Sequence, residues 1–150
     1  MIKIICVGKI KEQYLKEAID EYMKRLSKYT KIEIIELLDM NYDLKKTLEM
    51  ERDNIIKYIK NTDYNILLDL NGKELNSIEF ASNLDKIRNN NSNINFIIGG
   101  SYGVHNDIKN IVNERISFSK LTFPHQLFRV ILLEQIYRSF KILNNEEYHK

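Results

Sequence analysis

The residues best suited to chemistry crowd into the last 36 positions of the chain. Pro124 and His125 are followed by Arg129, Glu134 and Arg138, and the sequence ends Tyr148-His149-Lys150. Pro124 is the only proline. At the first position of a helix its missing N–H costs nothing. It would set His125 in the first turn, where the positive helix end favours a neutral imidazole. A neutral imidazole can accept a proton. Arg129 lies four residues on, on the same helix face. Arg138 lies nine beyond that, on nearly the opposite face. Each feature also has a simpler reading. His125 as a helix-start contact is the reading that spacing alone favours, and Glu134 with Arg138 makes an ordinary i, i+4 surface salt bridge. A terminal Tyr-His-Lys would ordinarily fray.

The elements that must position these residues alternate in type. Residues 2–7 form a β-rich apolar run ending at Gly8, and residues 11–29 carry a helical stripe through Tyr14, Leu15, Ala18, Ile19, Tyr22, Met23 and Leu26. Strand patterns follow at 32–38, 64–70, 94–98 and 115–119. Helical patterns fill 44–60 and the stretch from Ser77 to about Arg88, with a short helix near 106–113. A long helix starts at Pro124 and runs to about Leu143, its apolar stripe serving a core or an interface equally well. Ser77 reads as the N-cap of its helix. With Phe80 where the capping-box glutamate belongs, only half of that motif is present. Strands alternating with helices imply parallel βαβ units, hence an α/β fold with a parallel sheet flanked by helices in one domain.

In such sheets ligands sit outside the carboxyl ends of the strands. All five glycines (Gly8, Gly72, Gly99, Gly100 and Gly103) fall at those ends. Two nucleotide-binding motifs are nevertheless missing. No G-x-x-x-x-G-K-[ST] sequence occurs, and Gly99-Gly100-Ser101-Tyr102-Gly103 is not G-x-G-x-x-G. Cys6 is the only cysteine, and it sits in an apolar run with three scattered histidines elsewhere, so neither a disulfide nor a metal site is expected. No stretch reads as a signal peptide or a membrane span, which makes the reducing cytoplasm the expected compartment.

Charge is nearly balanced, with 23 Lys+Arg against 21 Asp+Glu for a net +2 over 150 residues. That excludes a histone-like polycation, and 43% hydrophobic residues exclude a disordered chain. The distribution says more than the sum. Residues 1–31 carry net +4, residues 32–114 net −5 and residues 115–150 net +3. If the two ends meet, they make a positive face suited to a polyanion.

Several segments together carry a specific resemblance. Val7-Gly8-Lys9-Ile10-Lys11, Leu68 through Lys73, Ile97 through His105, Ser117 through Arg138 and the Tyr148-His149-Lys150 ending resemble the RlmH (YbeA) family over essentially the whole chain. These are small bacterial SPOUT-class methyltransferases acting on large-subunit ribosomal RNA. The resemblance implies a parallel sheet whose C-terminal part is threaded into a trefoil knot, a feature too rare for periodicity to suggest. It implies a homodimer in which the partner's tail contributes to each site. It also implies S-adenosylmethionine held by Leu68, by Gly99 and by the loop Phe118-Ser119-Lys120-Leu121-Thr122-Phe123, with no metal.

The reaction implied is methyl transfer to N3 of a pseudouridine in 23S rRNA. N3 carries a proton between two carbonyls, so a base or a cation near the developing imide anion would help. His125 or the partner's His149 is the expected base. Arg129 and Arg138 would hold phosphate or the oxyanion, and Tyr148 would position the nucleobase. Two alternatives accompany this reading: a SPOUT activity on another RNA base, and a non-catalytic RNA- or ribosome-binding module. Two segments depart from the family pattern. Asp39 to Lys45 is shorter than in many members, and Asn144-Asn145-Glu146-Glu147 replaces a turn that often carries glycine and proline.

Overall fold

A computed structural model describes residues 1–150. Five strands form one parallel sheet: β1 (Ile2–Val7), β2 (Ile32–Leu37), β3 (Tyr64–Glu74), β4 (Ile94–Ile98) and β5 (Glu114–Ser117), in the order β2-β1-β4-β3-β5. The helices are α1 (Gln13–Leu26), α2 (Leu44–Ile56), α3 (Ser77–Asn90), α4 (Asn106–Ile111) and α5 (His125–Leu143).

Alternation along the strands builds two cores. Ile2, Ile4 and Cys6 of β1 and Ile94, Phe96 and Ile98 of β4 face α1, α3 and α5, where they meet Leu26, Phe80, Leu84, Leu132, Leu133 and Ile136. Ile5 and Val7, with Leu67 and Ile97, face the other way onto Ile55 of α2 and Ile108 of α4. The central strands are therefore apolar on both faces, as a covered parallel sheet requires. Cys6 is fully buried, and burial pushes its thiol up to about 12. It is a core side chain, not a nucleophile.

Polar groups seal the N-terminal edge of the sheet. The Asn95 amide donates to Asp63 and to the Asn65 carbonyl oxygen at 3.1 and 2.8 Å, all three residues being buried.

Several expected boundaries shift by a few residues, Pro124 among them as the N-cap of α5 and not its first residue, and two shifts matter to the fold. The N-cap of α3 is Asn76, not Ser77. Its side chain accepts from the Glu79 N–H, and the Glu79 carboxylate accepts from the Asn76 N–H. The capping box is thus complete, one residue earlier than the sequence reading placed it. Strand β3 also runs past Asn71-Gly72 to Glu74. Leu68 and Lys73 both pair with Ile116, so residues 69–72 loop out of the ladder. The returning chain presses against β5 at Gly72, where a Cβ would stand 2.7 Å from the carbonyl carbon of Arg115 and from the Ile116 nitrogen. Only glycine allows that approach.

Gly72→Ala should therefore loosen the β3–β5 pairing. We expect a loss of about 1–3 kcal/mol, the range for inserted atoms that force backbone shifts. Urea unfolding should show a lower midpoint with an unchanged slope.

Candidate active site

Past the carboxyl ends of β4, β3 and β5 the chain leaves a cavity of about 390 Å³. Three segments wall it: the outlooped 69–71 stretch after β3, the 99–104 loop after β4, and the 117–125 connection from β5 into α5.

The 117–125 connection is held from within and from below. The Ser117 hydroxyl donates to the Ser119 carbonyl at 3.0 Å, and the Leu121 N–H donates to the Ser119 hydroxyl at 2.9 Å. Phe118 packs edge-on against Phe80 at 5.5 Å and against Phe128 at 5.2 Å, while Phe123 stacks on Phe128 at 5.9 Å. Aromatic contacts of this geometry are each worth roughly 0.5–1.5 kcal/mol beyond simple burial. The 99–103 loop closes as a turn, with the Gly103 N–H donating to the Gly100 carbonyl at 3.0 Å. It leaves no room for a side chain on Gly99, whose Cβ would lie 2.6 Å from the Gly103 carbonyl oxygen.

The structure brings most of the expected binding residues together. Leu68, Gly99, Phe118, Ser119, Leu121, Thr122 and Phe123 all line the cavity, and Lys120 alone of that loop does not. Such a slot, apolar with backbone groups at its rim, suits a flat heteroaromatic ring.

His125 lines the cavity at the start of α5. Its pKa is lowered from 6.5, first by burial and then by the Arg129 charge, with Asp39 opposing. That direction favours a neutral imidazole, through desolvation and a neighbouring guanidinium, where the sequence had suggested the helix end. Gly8 lies against it. Backbone φ at Gly8 is +97°, and a Cβ there would sit 3.4 Å from His125 Nε2. Any other residue would be strained there, and its Cβ would touch the imidazole.

Arg129 does not reach the cavity. It is fully buried, donating to Glu36 at 2.6 Å, to the Gly8 carbonyl at 2.5 Å and to the Val7 carbonyl at 3.3 Å. Glu36 also accepts from the Ile10 N–H at 2.9 Å. The side chain expected to hold phosphate is instead a strut joining α5 to the end of β1. Glu36, its partner, was not singled out from sequence. Alternation in β2 gave no sign that one of its acids faces a buried arginine 93 residues on.

Arg138, Tyr148 and His149 gather at a second place, outside the cavity lining. Arg138 donates to Glu134 at 3.0 Å and to His149 Nδ1, 3.1 Å away, and lies 4.7 Å over the Tyr148 ring. Because a guanidinium only donates, His149 Nδ1 is the accepting atom of this contact. The Tyr148 hydroxyl donates to Glu134, and this bond is the leading cause that raises its pKa to about 12. Glu146 fastens the turn before the tail, accepting from Tyr29 at 2.7 Å and Lys141 at 2.9 Å. The tail is docked on its own α5, not frayed.

Sequence reasoning also missed Asp69 and Lys109 in the cavity wall. Asp69 directly follows Leu68, the last regularly paired residue before the loop in β3, a position that could have marked it.

The fold and site define a protein of the α/β class with a ligand-sized cavity over its strand ends, roofed by the connection into the last helix. Comparison with known proteins narrows this. The family described as "Predicted SPOUT methyltransferase" matches residues 1–149. A ribosomal RNA large subunit methyltransferase H from Caldicellulosiruptor saccharolyticus is 51% identical, with all of both chains covered. One of the same name from Clostridium botulinum strain Hall is 52% identical over 99% of each. The chain belongs to the SPOUT methyltransferases and, within them, to the RlmH family.

Two outcomes follow from this geometry. Arg129→Ala should cost about 2–4 kcal/mol in urea unfolding, because it strips hydrogen bonds to a charged group from two buried carbonyls and Glu36. An unchanged midpoint would show that the guanidinium is no strut. The second concerns pH. The unfolded chain takes up a proton at His125 more readily than the folded one, so the stability from this residue is complete above pH 6.5 and declines as pH falls below it. An NMR titration should place the His125 midpoint below 6.5.

Proposed function

We propose that this chain transfers a methyl group from S-adenosylmethionine to N3 of a pseudouridine in large-subunit (23S) ribosomal RNA, as a cytoplasmic homodimer. The observation that carries the reading is the cavity itself. The 118–123 loop forms its apolar wall, and a neutral His125 stands at the edge where a second substrate would enter. The lining fits the donor: an apolar slot with free backbone groups for the adenine, and neutral surroundings for a sulfonium. When bound, the donor supplies an electrophilic methyl group on a good leaving group.

The protein's part is then to fix the nucleobase and remove a proton. The His125 imidazole takes the N3 proton, being unprotonated at neutral pH and braced by Gly8 behind it. His149 is less suited as the base, because its Nδ1 is engaged by Arg138. In a dimer, the partner subunit's α5 would bring its Arg138, with the tail's Tyr148 and His149 docked on it, to the cavity mouth, where the guanidinium meets phosphate or the imide oxygen. Exposed Leu121, Phe123 and Leu127 offer an apolar surface beside the cavity for that second copy. The knot stays with the same reading, since β5 pairs with β3 on both sides of its looped segment. Ribosomal context would supply RNA-binding surface that a 150-residue chain lacks.

The deciding experiment maps methylated nucleotides in ribosomal RNA from cells with and without the gene. We expect one pseudouridine methyl mark to vanish and to return when the purified protein and donor are added to ribosomes. If no pseudouridine mark is lost, the reading fails. His125→Ala should lower the single-turnover rate by about 100-fold or more, the usual scale for a general base, with donor affinity retained. Full rates in both His125→Ala and His149→Ala would dismiss the base assignment.

A further inference from the structure

Apart from the neutral His125, the cavity wall carries only two ionisable groups of fixed charge at neutral pH, Asp69 and Lys109. They approach from the same side of the sheet. Leu67 pairs with Arg115 of β5, whose side chain contacts the Asp69 carboxylate, and Leu67 packs in the core that also holds Ile108 of α4. Lys109 is the next residue of that helix. Ile108 is fully buried, so the backbone carrying Lys109 is fixed.

Neither charge is consumed by the fold. Lys109 is half-buried and makes no ion pair or hydrogen bond to any side chain or carbonyl. The Asp69 side chain is only 12% exposed, yet its partners are few. One oxygen accepts from the Asn71 N–H at 3.1 Å, and the other has a long 3.4 Å contact with the half-exposed Arg115. A carboxylate has about four acceptor positions, so at least two stay open. Asp69 and Lys109 also do not pair with each other, the nearest N···O distance exceeding the 4.0 Å of an ion pair.

One acid and one base, separately placed at one side of an otherwise neutral cavity, match a zwitterion. We infer that Lys109 and Asp69 recognise the amino-acid end of the methyl donor, Lys109 taking its α-carboxylate and Asp69 its α-ammonium. This rests on the reading of the cavity as the donor site and deepens it. The apolar 118–123 wall takes the adenosine part, and the two charges fix which way round the donor lies. Selectivity follows from the same geometry. An adenosine thioether without the amino-acid end fits the apolar wall but leaves Lys109 without a counter-charge and Asp69 with only its long contact to Arg115.

Calorimetry on the full chain tests this with two ligands, S-adenosylhomocysteine and 5′-methylthioadenosine, the latter lacking the amino-acid end. Wild type should bind the first more tightly. Lys109→Met should weaken S-adenosylhomocysteine about tenfold, as expected for one charge-assisted hydrogen bond, and leave 5′-methylthioadenosine within twofold. Asp69→Asn should act in the same sense. Lys109→Arg, which keeps the charge, should recover most of the S-adenosylhomocysteine affinity. Equal losses for both ligands, or no loss for S-adenosylhomocysteine, overturn the inference while the cavity remains the donor site. Binding of neither ligand to wild type overturns the donor-site reading and this inference with it.

Discussion

A buried guanidinium ties the functional end of this protein together. Arg129 has no solvent exposure, and its charge is answered by Glu36 and by two backbone carbonyls at the end of β1. Removing such a group from water is expensive, and it persists only where the geometry satisfies it. That requirement fixes several things at once. It sets the first turn of α5 against the carboxyl end of β1, holds Gly8 in its left-handed conformation, and draws Glu36 and the Ile10 N–H onto the same point. His125, one turn before Arg129, is thereby lodged between Gly8 and the cavity. The same positive charge discourages protonation of the imidazole.

The cavity depends on this anchoring because its other walls are loops. Each wall is a strand end that has been turned aside: β3 by the outlooped 69–72 segment, β4 by the tight 99–103 turn, and β5 by the hydrogen-bonded turn at Ser119. Aromatic contacts of Phe118 and Phe123 with Phe128 then fasten the last wall to α5. A pull on α5 would therefore be felt along the whole roof of the site. In such a design the helix that carries the candidate base also carries the packing that shapes the donor slot.

Two groups of charged residues that look alike in sequence end in different roles. Arg129 and Arg138 lie nine positions apart on one helix, and their opposite faces were legible from spacing. Which face meets a sheet and which meets the tail was not. Arg129 became internal, whereas Arg138 gathered Glu134, Tyr148 and His149 at a separate surface. The tail's fate was equally hidden. Glu146 meets Tyr29 across 117 residues, a contact no local pattern could announce.

Local rules settled much of this protein in advance. Period-two and helical patterns gave the ten elements within a few residues, because apolar spacing is written in neighbouring positions. The glycines at the strand ends marked close approaches of the chain more than open backbone, since only Gly103 has free space at its Cα, and the motif segments at Gly99 and Ser117–Phe123 marked the cavity wall. Sequence also suggested a lowered His125 pKa, but from the helix end, whereas burial and Arg129 are what lower it. What it did not decide depended on partners far away along the chain. The strand order β2-β1-β4-β3-β5, the strut from Arg129 to Glu36, and the meeting of Asp69 with Lys109 in one wall arise only when the sheet is assembled. Electrostatic roles are set by who stands within a few ångströms, and that is a property of the folded chain.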